Sequence, residues 1–537
     1  MKYCLRFFFI FISFIWNQYC FSQKNIIWQR TYGLSNRFDN IYSAKSTYDN
    51  GFVLGITASS ENPNDYFIWL VKTDINGVPL WSKSYINPYS LFVIKSMDVS
   101  INGDIVITGA TEQYDDWGDV FLMRLNSCGE KIWCKVIHYD DMNYGYRVKI
   151  NHQGNYALYT RYAAPSSINS DKLWILNMNG DILSQIYIIP SSSHPNVWSP
   201  LTEDFMLTED HGFVFSGHCY FPEDTINPSV WRLQHMLVKL DSTGNELFFR
   251  PQYLDTNQEG VLLCSIEHGT ILYSCGYDYG YSDKKKPLEF TIRPYNGKYS
   301  STGALLYEKR LHPDTMRTFL TYIKSINAQS LIQTGKITHD PSGNPPYYLG
   351  VFKTDTMFNI LNYLENDTGS VTNECITGSI DGKFLVTGYC PPQSAFTEVD
   401  GLAIKVNSDL EYDSLYTFPF IYDSLCPFPI ITDTIDCDCD LITGFGEPVK
   451  LEDRYALKVF PNPAGEVIHF KFLDRAGDME RENKEILLFG LMGKPALKAE
   501  IGKEVSLNVS HLPAGVYVAI VLHEMQVITR EKVVIIH

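Results

Sequence analysis

Between Trp28 and about Tyr416 the chain alternates short apolar runs with turn-forming residues, and the alternation itself repeats. The first copy is clearest: Asn50-Gly51-Phe52-Val53-Leu54-Gly55, then Phe67-Ile68-Trp69-Leu70-Val71-Lys72-Thr73-Asp74, Asn76-Gly77 and Leu80-Trp81. The second reads Asn102-Gly103-Asp104-Ile105-Val106-Ile107, then Val120-Phe121-Leu122-Met123-Arg124-Leu125-Asn126 and Ile132-Trp133. Further copies centre on Gly154, Gly212, Gly269, Ala328 and Gly382, so that the markers from Gly51 onward stand 52, 51, 58, 57, 59 and 54 residues apart. The runs are β-branched and aromatic, bounded by Asn-Gly or Asp-Gly turns, and lack the 3.6-residue period of a helix; they predict strands, about four to a unit.

One small sheet cannot bury both faces until neighbours stack on it, and four-strand units at this period are the signature of propeller blades. The expected fold class is all-β: a seven-bladed β-propeller followed by a small C-terminal β-sandwich. Two stacked sandwiches are the alternative for the repeat region. Ring closure is also written in the pattern. Ile26-Ile27-Trp28-Gln29-Arg30-Thr31-Tyr32-Gly33 matches the outer strand Leu80-Trp81-Ser82-Lys83-Ser84-Tyr85 but has no three strands before it, while the seventh unit fades after Asn407. The N-terminal strand is therefore expected to pair with residues 402–407 and remove an exposed edge.

Composition changes this picture little. Aromatics make up 14% of the 537 residues, which suits strands. The formal net charge of −17 argues against a nucleic-acid partner, whose phosphates are bound by Lys and Arg. At the front, Lys2 and Arg6 precede apolar runs from Phe7 to Ile12 and Phe14 to Trp16, then Cys20-Phe21-Ser22, the order of a secretory signal peptide over 1–22. Asn17-Gln18-Tyr19 is a poor setting for acylation of Cys20, and no later run reaches 18 apolar residues, so no transmembrane anchor is expected.

The C-terminal part carries Lys458-Val459-Phe460-Pro461-Asn462-Pro463, then Leu488-Phe489-Gly490-Leu491-Met492-Gly493-Lys494, then Asn508-Val509-Ser510-His511-Leu512-Pro513-Ala514-Gly515-Val516-Tyr517, and ends in Lys532-Val533-Val534-Ile535-Ile536-His537. In order and spacing these resemble the type A sorting domain of the Bacteroidetes type IX secretion system. The resemblance implies a sandwich of about seven strands, recognition by the outer-membrane translocon and sorting machinery, and delivery to the cell surface or medium. It assigns the signal to Pro461, Asn462, Pro463, Gly493, Leu512, Pro513, Gly515 and Lys532. Gly490 stands where that family usually has Asp or Asn. The expected domains are a signal peptide (1–22), the propeller (23–416), a Pro-, Asp- and Gly-containing connector (417–452) and the sorting domain (453–537).

Cysteines test the register. Cys264 and Cys275 stand five before and six after Gly269, and Cys375 and Cys390 seven before and eight after Gly382, so each pair is expected opposite one another across a hairpin, as disulfides. Cys128 and Cys134 flank a turn and are a third expected pair. In Cys437-Asp438-Cys439 an extended chain turns the carboxylate away from both thiols, and no His or Cys lies at zinc spacing, so linker disulfides are expected rather than a metal.

Function is expected on the long second connections, which alternate geometry places on one rim. Tyr114, Asp115, Asp116, Trp117, Tyr277, Tyr279 and Tyr281 combine aromatic faces with carboxylates, suited to stacking on sugar rings or gripping a protein, though aromatics this common also pin their own loops. No zinc-protease, nucleophile-elbow or phosphate-loop motif occurs. The adjacent acids Asp115-Asp116 and Asp140-Asp141 read as solvated turns, and Asp74-Ile75-Asn76-Gly77 has Asp-x-x-Gly spacing where the sialidase Asp-box has Asp-x-Gly. The expectation is a secreted binding module for an extracellular glycan or protein, without cofactor or metal; a propeller hydrolase acting on polysaccharide is the alternative.

Overall fold

Every regular element that can be described in the computed structural model is a strand. The described residues run from 27 to 442, apart from 35–36, 61–64, 88–90, 113–117, 139–142, 163–170, 189–197, 223–230, 253–257, 282–289, 312–316, 341–345, 368–375, 391–398, 417–432 and 438, and from 455 to 536, apart from 475–483, 491–494 and 524–525. The segment expected as a signal peptide, most of the long connections and the turn containing Gly493 therefore lie outside them.

Seven four-stranded antiparallel sheets follow one another. Blade 1 is Asp39–Ser46, Phe52–Ser59, Tyr66–Thr73 and Pro79–Ile86; blade 2 is Phe92–Val99, Ile105–Thr111, Asp119–Leu125 and Lys131–Ile137. Blade 3 is Asn143–Ile150, Tyr156–Tyr162, Lys172–Leu176 and Ile182–Tyr187; blade 4 is Trp198–Leu207, Phe213–Pro222, Trp231–Leu240 and Glu246–Gln252. Blade 5 is Gln258–His268, Ile271–Tyr281, Phe290–Ser300 and Leu305–Arg310; blade 6 is Arg317–Asn327, Ser330–Thr338, Tyr348–Asp355 and Ile360–Asn366. Blade 7 has only Ile376–Gly378, Phe384–Cys390 and Asp400–Val406 of its own, and Gln29–Tyr32 completes it, with Gln29 opposite Ile404 and Tyr32 opposite Gly401. The first strand of each blade packs on the preceding blade, and that of blade 1 packs on blade 7, so the ring closes.

The interfaces follow from sequence. The turn between third and fourth strands begins with a residue whose side chain accepts two backbone N–H groups, as Asp74 does from Asn76 (2.8 Å) and Val78 (2.7 Å). The same device recurs at Asn126, Asn177, Asp241, Ser300, Asp355 and Asn407. Onto each early turn leans the outer strand of the preceding blade. Trp28 donates its indole N–H to Ile75 O (2.7 Å) and Tyr32 its hydroxyl to Gly77 O (2.8 Å), and Trp133 caps Met178 O at 3.1 Å. Gly77 has φ 74°, and a Cβ there would lie 2.6 Å from the Trp28 ring. In blade 6 the equivalent position is Phe358, at φ 56°, whose fully buried ring stacks on Tyr307 and supplies the aromatic itself.

A second rule governs the axis side. In six inner strands the register slips by one residue at the same place, leaving Tyr42, Lys95, Tyr146, Glu203, Leu263 and Thr321 as bulges. The carbonyl two residues before a bulge presses on the neighbouring strand: a Cβ on Gly109 would lie 1.8 Å from Val93 O, and one on Gly276 1.9 Å from Val261 O. Gly109, Gly217, Gly276 and Gly335, inside the second strands of their blades, are thus close-approach residues.

The stretch expected as a connector contributes to the ring. Asp433–Asp436 adds in parallel to the outer strand of blade 1 and Asp440–Leu441 to that of blade 2, and the first compact unit extends to Ile442. Cys437 and Cys439 are buried there, and Cys439 is bonded to Cys134 across a separation of 305 residues. Among the described residues no group of three or more His, Cys, Asp or Glu side chains is placed to hold a metal.

This corrects the expected disulfides. Cys134 is taken by Cys439, and Cys128 is bonded elsewhere, because the strap places a partner beyond their shared turn. Cys264 does stand opposite Cys275, next to the bulge at Leu263, but both are free thiols, and Cys264 Sγ lies 3.9 Å from Ser265 O and 4.0 Å from Ile323 O of blade 6. Burial pushes both thiols well up. Cys390 is a free thiol, and its expected partner Cys375 lies outside the described residues.

The second unit, Thr443–His537, is a two-sheet sandwich of seven strands. Tyr455–Phe460, Val467–Asp474 and Glu504–Asn508 face Pro495–Ile501, Lys484–Gly490, Gly515–His523 and Gln526–Ile535, with Leu457, Phe470, Leu488, Tyr517 and Val533 buried between. The terminal motifs are joined by hydrogen bonds. Asn462 donates to Lys532 O (2.7 Å) and accepts from Val534 N (2.8 Å), while Tyr517 donates to Pro513 O (2.8 Å).

Alkylation of the unfolded, unreduced mature protein should label Cys264, Cys275 and Cys437 but neither Cys134 nor Cys439, as read by peptide mass mapping. Cys439→Ser should lower unfolding stability by about 2 to 4 kcal/mol; an unchanged urea midpoint would remove the strap from the account.

Candidate functional site: the polar network at the axis

Bulges turn side chains toward the ring axis that a flat strand would direct into blade interfaces. From blade 3, Arg147 reaches both ways: its Nε donates to Asp204 Oδ1 on blade 4 (2.9 Å) and its Nη2 to the Tyr322 hydroxyl on blade 6 (2.8 Å). A contact from blade 3 to blade 6 crosses the axis. Tyr146 is clasped between two guanidinium groups, Arg147 at 4.8 Å and Arg161 at 5.2 Å from its ring centroid. Its hydroxyl donates to Glu203 Oε2 at 3.1 Å, and Arg161 holds the same carboxylate with two bonds of 3.0 and 3.3 Å. Lys95, from blade 2, lies 4.7 Å over the Tyr42 ring of blade 1, and burial, with Arg147 second, holds its ammonium below the usual lysine range.

The network continues toward the rim bearing the long connections. His218 Nδ1 lies 3.6 Å from Glu203 Oε1 and makes no hydrogen bond, and His218 stands opposite His235 in blade 4. Buried His235 places Nε2 3.0 Å from Asp278 Oδ1 of blade 5, and Asp278 Oδ2 accepts from Arg310 Nε at 2.6 Å. A side chain on Gly260 would overlap both, with its Cβ 2.2 Å from His235 Nε2. Burial dominates the His218 pKa, pulling it down to about 4 against the opposing pull of Glu203. Behind this wall Asp171 accepts from Tyr159 Oη (2.8 Å), Thr202 N (3.1 Å) and Thr202 Oγ1 (2.8 Å), and burial raises its pKa. At the seam of blades 1 and 7, Asp39 accepts from Leu34 N at 2.5 Å; burial, with Asp400 adding, lifts its pKa to about 6.

Of the residues expected to bind a ligand, Tyr114, Asp115, Asp116 and Trp117 lie outside the described residues, and Tyr279 and Tyr281 are described only as strand backbone. Tyr277 is half-buried and packs edge-on against Phe319 of blade 6, with ring centroids 5.6 Å apart. The axis residues Lys95, Arg147, Glu203 and Asp278 were not anticipated. Their signal was present as charged residues within runs such as Ile94-Lys95-Ser96 and Tyr146-Arg147-Val148.

Residues 458–536 match the family model of a secretion system C-terminal sorting domain. This part of the chain is a type IX sorting domain, which engages the type IX secretion machinery and routes the protein to the cell surface or extracellular space. No helix among the described residues is long and apolar enough to cross a membrane. A search of curated proteins gives no match. Among solved structures, the chain is similar to Drosophila Semaphorin 2a, with 8% identity over 95% of this chain and 98% of that one, at a TM-score of 0.39. It is also similar to a lignostilbene dioxygenase of Pseudomonas brassicacearum, with 9% identity over 70% and 87%, at 0.38. A third is an endo-arabinase of Bacteroides thetaiotaomicron, with 10% identity over 51% and 94%, at 0.29. At these scores the likenesses carry no argument about activity; the ring is read from its own sheet order.

Two buried groups give opposing pH dependences. The fold binds the Asp39 proton more tightly than the unfolded chain does, so that contribution is complete below about pH 4 and is lost as pH rises through about 6. The His218 contribution is complete above about pH 6.5 and is lost as pH falls through about 4. In urea titrations from pH 4 to 6.5, Asp39→Asn should make stability climb more steeply with pH than in the parent, and His218→Gln should make it level or falling. Equal slopes in all three proteins would refute both assignments.

Proposed function

We propose that the propeller of this type IX-exported protein is an extracellular binding module for a glycan or protein, using the rim of long connections and the polar axis beneath it. The observation that carries the reading is the Arg147 bridge from blade 3 to blades 4 and 6, which ties separate inner strands into one rigid polar floor. A rigid floor beneath variable connections is a recognition arrangement.

The same contacts weigh against the hydrolase alternative. Carboxylate hydrolysis of a glycosidic bond needs two acids free to exchange protons with substrate and water. Here Asp204 is bonded to Arg147, Glu203 to Arg161 and Asp278 to Arg310, while the Asp171 carboxylate is occupied by Tyr159 and Thr202. These acids position side chains.

Mature protein should bind a subset of a glycan array, or whole cells, without turnover on a polysaccharide panel. Replacing Trp117, Tyr279 and Tyr281 together by alanine should weaken that binding at least tenfold while leaving the unfolding midpoint unchanged. Undiminished binding would move the site off this rim, and turnover abolished by a carboxylate change would favour the hydrolase.

A further inference from the structure

Five inner-strand side chains meet at the axis with unequal charge. Arg147 has Asp204 as its carboxylate, and donates further to the Tyr322 hydroxyl and, from Nη1, to Tyr146 O at 3.1 Å. Lys95, from the bulge of the adjacent inner strand, has no carboxylate within ion-pair distance among the described residues; its recorded contact is the Tyr42 ring. Lys95 is half-buried on the inner strand next to that of Arg147, where the Ser96 hydroxyl accepts from Val148 N at 3.2 Å, and two neighbouring cations each raise the potential the other feels. The backbone does not force this arrangement by chance rotamer: Lys95 is the extra residue of a bulge, the device that sends a side chain to the axis. Cation–π contact with Tyr42 offsets part of the cost and leaves the ammonium's hydrogen-bond donors available.

We propose that Lys95 and Arg147 form an anion-binding point at the ring axis, taking a carboxylate or sulfate group of a ligand that enters from the long-connection rim. Lys95 would meet the anion with its ammonium as a compact charge, Arg147 with the guanidinium edge now shared with Tyr322, and the Tyr42 ring forms an apolar wall beside it. This inference rests on the binding reading above and narrows it to acidic ligands, notably glycans bearing uronate or sulfate groups. The protein's net charge of −17 makes loose attraction of anions unfavourable, so selectivity for them has to come from such a local site.

The test uses full-length mature protein and Lys95→Met, which keeps the apolar stem and removes the charge. Thermal shift and calorimetry are run with sodium sulfate, with oligogalacturonate and with a neutral oligogalactoside. Oligogalacturonate or sulfate should stabilise the parent and the neutral sugar should not; Lys95→Met should lose about tenfold or more in anion affinity. A response to sulfate alone identifies a site for a free ion, and a response to oligogalacturonate identifies a glycan-borne group; either supports the anion point. Lys95→Met should itself be at least as stable as the parent without ligand, because an uncompensated cation has been removed. No anion response in the parent, or an equal response in Lys95→Met, overturns the proposal. If Lys95→Met retains array binding while no anion response exists, the axis site fails and the rim reading stands. An anion response without any array or cell binding leaves the axis site and removes the rim reading.

Discussion

A ring of stacked sheets is stable only if its last member meets its first, and here that meeting depends on one strand from the other end of the chain. Blade 7 has three strands of its own; Gln29–Tyr32 is the fourth. The adjoining Trp28 is 1% exposed, accepts a backbone bond from Lys405 N (3.1 Å), donates another to Asp413 O (2.8 Å), and caps the outer turn of blade 1. One short segment therefore pairs with the last blade and packs on the first. Without it, blade 7 would present the bare edge of Asp400–Val406, and each remaining interface would have to hold an open arc.

Closure fixes what lies at the axis. Six inner strands carry a bulge at a shared level, and glycines on the neighbouring strands make room for the displaced carbonyls. The bulged and adjacent residues are polar or aromatic where they meet, so the centre is filled by Arg147, Asp204, Tyr146, Glu203 and Tyr322 instead of an apolar plug. Each charge there except that of Lys95 has a partner within the ring, which is why that one side chain carries the functional inference. At the periphery, the Cys134–Cys439 bond and two added strands close the outer edges of blades 1 and 2, leaving the outer strands of blades 3 to 7 as sheet edges among the described residues.

The sevenfold repeat was legible because its punctuation is local: Asn-Gly and Asp-Gly turns, apolar alternation and the outer-strand Trp each act over a few residues. Ring closure was legible for the same reason, since a lone outer-type strand at Trp28 needs a sheet to join. The sorting sandwich was legible from Pro461-Asn462-Pro463 and the final Lys-Val-Val strand, which hydrogen bonds through Asn462 tie together. The bulges were not, because an extra residue within a strand leaves the apolar pattern nearly intact. The strap was hidden as well: Asp433–Asp436 is an acidic segment with no repeat around it, and its parallel partner lies some 350 residues earlier. Local cysteine offsets located Cys264 opposite Cys275 correctly, but facing positions in a register do not by themselves join two thiols, and both are free.

The most direct measurement is hydrogen–deuterium exchange followed by mass spectrometry on the mature protein. Closure predicts that peptides covering 27–32 and 400–406 are as slow as the central strands of the other blades and open together with them. Fast exchange of 27–32, at the rate of an unstructured peptide, with the rest of the ring still protected, would contradict it.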